Sequence, residues 1–263
     1  MWARRVVCVF IGLWFASPLL AQGTLSVQVG TPPSPPTSLV NHGDLWRYHK
    51  GTNAPQAGWQ TISDASLDTT WANGNGGIGY ADNANETSIC QTLLADMRNR
   101  YTTVYLRRSF QINSAVDPGL HLLLTMDWDD GFVAYLDGME SQRALAPGAV
   151  GVEPAYNAVA TGLHESSRGN SPPINPPTTY DLGTAGGRLA PGTHVLAILG
   201  LNEATNSSDF IQVAELQLSG ASSAVNGGQF LSLVQSNYVI LSGSNTVAGS
   251  ARVVVNGDRK SVV

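Results

Sequence analysis

The chain is nearly devoid of cysteine: Cys8 and Cys90 are the only two in 263 residues. Cys8 falls in an N-terminal segment expected to be removed, which leaves Cys90 alone and excludes an internal disulfide. A lone cysteine of this kind reads as a small buried apolar residue rather than a reactive thiol. Charge is also scarce, at 13% of residues with a net −5, and the few basic side chains form no stripe, so nucleic acid is excluded as a partner. The five histidines (His42, His49, His121, His164, His194) show no metal-binding spacing such as His-Glu-x-x-His. No Gly-x-Ser-x-Gly elbow is present. The glycine-rich run Gly74 to Gly79 lacks the lysine that a phosphate cradle needs. This sequence contains no recognisable catalytic constellation.

The two ends read differently from the middle. Arg4 and Arg5 precede an apolar run from Val6 to Leu20, and Ala21 precedes Gln22-Gly23, the pattern of a secretory signal peptide cleaved after Ala21. A membrane anchor needs about 20 apolar residues, and this run is shorter and broken by Ser17-Pro18. No later stretch suits a membrane span, so export into the extracellular space or onto the cell surface is expected. Residues 22–38 hold Thr-Pro-Pro-Ser-Pro-Pro-Thr, an extended linker. At the other end, Asp258-Arg-Lys-Ser-Val-Val263 matches what a common sequencing adapter encodes, so 258–263 is expected to be an artefact and the native chain to be longer. Without both ends the balance is 10 basic against 18 acidic residues, near −8.

What is abundant is β-forming pattern and turn residues, with 28 glycines and 14 prolines. In Met126-Asp-Trp-Asp-Asp-Gly-Phe-Val-Ala-Tyr-Leu-Asp-Gly138, Leu120 to Trp128 is an incoming strand and Asp129-Asp130-Gly131 a turn. Phe132, Ala134 and Leu136 alternate with Val133, Tyr135 and Asp137, the period of a strand. Asp137-Gly138 tolerates the positive φ angles of a two-residue hairpin loop. The pattern predicts one hairpin through Asp130 and the start of a second through Asp137. Further strands are expected at Leu45 to Tyr48, Thr102 to Ile112, His194 to Leu201 and Phe210 to Leu218. Short helical turns are expected around Asp64 to Asp68 and near Gln91 to Met97. Gly148 to Pro191 reads as a long irregular loop. Six or more strands at short spacing indicate an all-β antiparallel sandwich over 39–220. Tyr238 to Gly243 and Ala251 to Gly257 open a second small β module, truncated, over 221–257.

A resemblance follows from the motifs. Leu45-Trp46-Arg47-Tyr48, Trp71-Ala-Asn-Gly, Gly77-Ile-Gly-Tyr80, Val104-Tyr-Leu-Arg107, Asp129 to Gly138, Leu189 to Ala197 and Gly200-Leu-Asn202 with Ser207-Ser-Asp-Phe210 occur in the order of the galactose-binding-like jelly-roll module of large secreted bacterial proteins. The chain is most similar to modules that accompany spore-coat-protein-H-type kinase and lamin-tail domains; related modules stand beside some metallophosphoesterases. The likeness runs from about Val40 to Leu218. Asp137 departs from the family's usual Asn, and Ser141 from its usual apolar residue. The resemblance implies a non-catalytic, carbohydrate-binding or surface-adhesion module, with glycan or cell-surface polysaccharide and the downstream domains of the same chain as partners. The alternative is a structural spacer packed against a downstream catalytic domain.

Asp127, Asp129 and Asp130 are the densest carboxylates. They have two readings: ligands for Ca²⁺, which takes 6–8 oxygens, or turn aspartates capping backbone N–H groups, the commoner role. No other cofactor is implied. Trp46, Trp59, Trp71 and Trp128 are read mainly as core, with Trp128 placed at a ligand edge. With Trp128, Asp129, Asp130, Arg143, Asn202 and Asp209 make up the candidate binding set. Arg143 is available to grip a hydroxyl or carboxylate, and Asn202 and Asp209 flank a loop at one end of the sandwich.

Overall fold

The structure is a computed structural model that describes residues 36–170 and 174–220, with two short strands at 231–232 and 240–241. The expected signal peptide, nearly all of the linker, the strand at 251–257 and the C-terminal tail lie outside the described residues. Among the described residues, those from 36 to 220 belong to one unit and the two short strands to another.

The main unit is an all-β sandwich. In chain order its strands are β1 (Thr37–Val40), β2 (Leu45–Lys50), β3 (Ala72–Asn75), β4 (Ile78–Tyr80), β5 (Thr92–Leu93), β6 (Thr103–Ile112), β7 (His121–Asp129), β8 (Gly131–Leu136), β9 (Met139–Ala144), β10 (Thr178–Thr184), β11 (Gly192–Leu201) and β12 (Phe210–Leu218). One helix, α1 (Ala84–Thr87), lies between β4 and β5. The first sheet runs β10-β7-β12-β4-β5, with β1 on β12; the second runs β3-β2-β6-β11-β8-β9. Every pairing in the two sheets is antiparallel except β4 with β5. In the end unit, β13 (Leu231–Ser232) pairs antiparallel with β14 (Ile240–Leu241).

The inner faces meet in one apolar cluster. Leu122, Leu124 and Met126 of β7 alternate into it, as do Phe132, Ala134 and Leu136 of β8, Val104, Leu106 and Phe110 of β6, and Phe210, Ala214 and Leu216 of β12. The period-2 pattern that identified these strands also decides which side chains leave water. A second cluster covers the outer face of the second sheet, where Tyr105, Val133, Tyr135, Ala197 and Leu199 pack under Trp59 and Trp71. β8 is therefore buried on both faces along its whole length. Fully buried Arg107 ties this extra layer down: its guanidinium donates to the Trp59 carbonyl at 2.7 Å and pairs with Asp64 at 3.0 Å.

The predicted hairpin through Asp130 is not a hairpin. β7 pairs with β10 and β12 in the first sheet, whereas β8 pairs with β11 and β9 in the second. Asp129 to Gly131 therefore carries the chain from one sheet to the other. A turn signal reports a change of direction, and it is silent on whether the next strand pairs back or crosses the core. The second hairpin forms as read: Leu136 faces Met139, and Asp137 and Gly138 both have positive φ (51° and 79°), as a two-residue turn of mirror-image type requires.

Other expectations are corrected. Gln91 to Met97 holds β5 and turns; the helix sits earlier, where Asn83 caps it by accepting from the Glu86 amide at 3.0 Å. The glycine run is not simply a loop, since it overlaps β3 and contains most of β4. Gly79 is needed there, because a Cβ would sit 2.0 Å from the Phe210 carbonyl oxygen. The expected irregular loop contains β10, paired with β7 from Thr178 to Thr184. The short helical turn expected around Asp64 to Asp68 does form, as a single 3-10 turn at Asp64–Ser66.

Candidate functional site

Three neighbouring elements of the first sheet end at the same place. β7 terminates at Asp129, β12 starts just after Asp209, and α1 follows β4 on the other side of β12. The segment His164 to Gly169 lies over this end: the Ser167 amide and hydroxyl donate to Asp127, the amide at 2.8 Å, and the Ser166 hydroxyl donates to Glu86 at 2.9 Å. Glu86, Asp129, Glu165 and Asp209 consequently meet, each offering a carboxylate oxygen within 4.8 Å of the others. Glu86 and Asp129 are buried; Glu165 and Asp209 are half-buried.

The carboxylates of this region differ sharply in their partners. Asp127 is held by Ser167, and Asp130 accepts from the His164 amide at 3.0 Å and the Glu203 amide at 2.8 Å. Glu86 accepts from Ser166 and from the Asn83 side-chain amide. Asp129, only 2% exposed, has an Oδ1 that is fully buried and has no hydrogen-bond partner. Burial pushes its carboxyl up to about 10, with Asp130, Asp209, Glu165 and Glu86 adding repulsion. Burial, followed by Asp209, Glu86 and Asp130, lifts Glu165 to about 7. Asp130 rises to about 6 because burial outweighs its two amide donors.

Of the six binding candidates, the structure brings Asp129 and Asp209 together and assigns the other four to packing or loop support. Trp128 is a correction: it is 4% exposed, packs edge-on against Phe132, and is covered by the His164 ring stacked at 3.9 Å and 7°. It cannot present a face to a sugar. Trp46, Trp59 and Trp71 are buried as well. Arg143 is engaged by Glu140 and by the carbonyls of Pro147, Gly148 and Val152, so it shapes the loop after β9. Asn202, fully buried, donates to the Asp209 carbonyl at 3.0 Å and to the Tyr80 hydroxyl at 3.2 Å, and Tyr80 in turn donates to the Ser207 carbonyl at 2.9 Å. Asn202 thus positions Asp209. Asp127 and Asp130 do accept from backbone N–H groups, but those of distant segments at Ser167, His164 and Glu203 rather than of their own turn, so they anchor loops.

Glu86 and Glu165 were not among the candidates. The Asn83-x-x-Glu86 spacing of a helix N-terminus was a usable signal for Glu86. Glu165 lies in a long segment with no local pattern, and only the tertiary fold brings it to Asp129. An all-oxygen set of four carboxyl groups can accept hydrogen bonds from polyhydroxylated ligands or, once deprotonated, ligate a hard cation. No helix among the described residues is long and apolar enough to cross a membrane.

No protein-family model matches the chain, and no curated protein matches it. Among solved structures, a β-glucuronidase from an uncultured Clostridium sp. is similar at 11% identity and a TM-score of 0.36, over 75% of this chain and 31% of that one. The Bifidobacterium dentium β-glucuronidase complexed with coumarin-3-O-glucuronide is similar at 18% identity and a TM-score of 0.35, over 69% and 22%. A β-glycosidase from Bacteroides vulgatus is similar at 12% identity and a TM-score of 0.33, over 66% and 20%. The chain spans at most about a third of the length of each of these enzymes.

Proposed function

We propose that residues 37–218 are a non-catalytic binding module of an exported multidomain protein, with glycans as the ligand class and the carboxylate end of the sandwich as the binding edge. The observation that carries this reading is the convergence of Glu165 and Asp209, half-exposed, on a rigid loop end backed by buried Asp129 and Glu86. Half-exposed carboxylates are strong acceptors for sugar hydroxyls, and loop ends of a fixed scaffold are where binding residues concentrate. The motif order shared with galactose-binding-like modules points the same way. Further support for a non-catalytic role is that all five histidines have structural partners: His42 with the Ile89 carbonyl, His49 with Thr70 and Asn53, His121 with Asp181, His164 with Trp128, and His194 with Asp137 and Ala190. A glycan microarray with the exported chain, followed by calorimetry on the hits, tests the proposal. Binding that Glu165→Gln and Asp209→Asn weaken supports it; an empty array, or hits indifferent to both changes, refutes it.

A spacer role is the second reading, favoured by one observation. The loop after β9 exposes Val150 (77%), Val152 (57%) and Leu163 (75%), apolar surface suited to packing on another domain.

A further inference from the structure

We propose that Glu86, Asp129, Glu165 and Asp209 form a Ca²⁺ site at the β7–β12 end of the sandwich. The site is the edge proposed above for glycans, but ion binding does not depend on that reading and is measured without any sugar.

Three observations carry the inference. The first is size. Oxygens around Ca²⁺ lie about 2.3–2.6 Å from the ion, so two on opposite sides stand roughly 4.6–5.2 Å apart. The four carboxylate oxygens all lie within 4.8 Å of one another, compatible with one such sphere.

The second is the orphan acceptor. Neighbouring Asp127, Asp130 and Glu86 have each been given donors by the fold. Asp129 Oδ1, in a residue 2% exposed, has received none. An unmet buried carboxylate oxygen is among the costliest groups a protein can carry, and a cation ligated at that oxygen removes the cost.

The third is uncompensated charge. None of the ion pairs among the described residues includes any of the four acids. Four carboxylates this close repel strongly unless protons or a cation neutralise them, and no side-chain cation among the described residues does so. The donor chemistry then selects the ion. Oxygen ligands without imidazole or thiolate suit hard cations over zinc or copper. Ca²⁺ accepts crowded, irregular carboxylate cages, whereas Mg²⁺ retains water and is rarely held by protein oxygens alone.

The test is calorimetric titration of the metal-stripped full chain with CaCl₂, then MgCl₂. One Ca²⁺ per chain is expected, with a Kd at or below ~10⁻³ M, the weak end of the range for extracellular Ca²⁺ modules, and with Ca²⁺ bound at least about tenfold tighter than Mg²⁺. Asp209→Asn, at a half-buried position, is expected to weaken Ca²⁺ at least about tenfold while leaving the circular dichroism spectrum unchanged; Asp129→Asn is expected to do the same. The proposal is overturned by no binding at about 10-fold higher Ca²⁺ than that Kd, by Ca²⁺ affinity that both variants leave unchanged, or by Mg²⁺ binding as tightly. A chain that binds Ca²⁺ but no glycan leaves this site standing and removes only the glycan reading.

Discussion

Replacing Asp129 by asparagine separates the two ways the carboxylate end can be neutralised. Without a cation, folded Asp129 retains its proton up to about pH 10, against an ordinary 3.8. The unfolded chain gives that proton up from about pH 4, so between those values it binds fewer protons than the folded chain, and stability falls as pH rises. At pH 7 the gap from 3.8 is roughly three units, worth ~1.4 kcal/mol each, or about 4 kcal/mol at most. Sharing of protons within the cluster lowers this to about 2–4 kcal/mol. An asparagine side chain at this position has the same shape and no such penalty. In EDTA at pH 7 the Asp129→Asn variant is therefore expected to be the more stable by about 2–4 kcal/mol, and at pH 4 the two chains should coincide. Saturating Ca²⁺ closes most or all of that gap: at 100 times its Kd the ion stabilises the wild type by about 2.7 kcal/mol, with expulsion of the Asp129 proton and relief of the cluster included, while the variant gains little. Urea unfolding at both pH values, with and without Ca²⁺, reads all four cases. A variant less stable than wild type in EDTA at pH 7, or an advantage of the same size at pH 4, refutes the reasoning.

Four further outcomes are expected. Phe132→Ala empties a fully buried site beside Trp128 and Tyr180 and should cost about 3–5 kcal/mol in urea unfolding; a loss below ~1 kcal/mol would contradict the placement of β8 in the core. Arg107→Ala removes the grip on the Trp59 carbonyl and Asp64, so about 2–3 kcal/mol should be lost and limited proteolysis should cut first within 59–64. Gly79→Ala drives a methyl group against the Phe210 carbonyl; separation of β4 from β12 should cost ~2 kcal/mol or more, and an unchanged Tm would refute that close approach. For His194, burial opposes the charged ring, but the Ala190 carbonyl and Asp137 outweigh it and raise its titration above 6.5. That stabilisation is complete below 6.5 and is lost as pH rises through the folded value, and NMR titration should show the midpoint falling in Asp137→Asn.

The strands and the site were legible to different degrees. β6, β7, β8, β11 and β12 have enough apolar residues to reveal themselves, β7 by alternation with a core face and β8 and β11, buried on both faces, as near-continuous apolar runs. β10 was missed because its residues are mostly half-exposed and polar, so alternation leaves no contrast; β9, equally polar, was reached only through the Asp137-Gly138 turn that precedes it. β3 and β4 were hidden by glycines that serve close strand contact. Reading the tryptophans mainly as core was sound for Trp46, Trp59 and Trp71, while Trp128 at a ligand edge was not: a strand shows which residues share a face, not what loop later covers it.

By itself the sequence determined that the chain folds as an antiparallel β-sandwich and where most long strands lie, since burial alternation and turn chemistry are local properties. It also located Asp129 and Asp209, through turns and loop ends. Only the tertiary structure decided that Asp129 to Gly131 crosses between sheets and that Asp127 and Asp130 serve loops while Asp129 is left without a donor. The structure also decided that residues 86, 129, 165 and 209 meet. Carboxylates that far apart in sequence converge because β7, β12 and β4 are adjacent in one sheet, and strand order is set by long-range packing that no local pattern encodes.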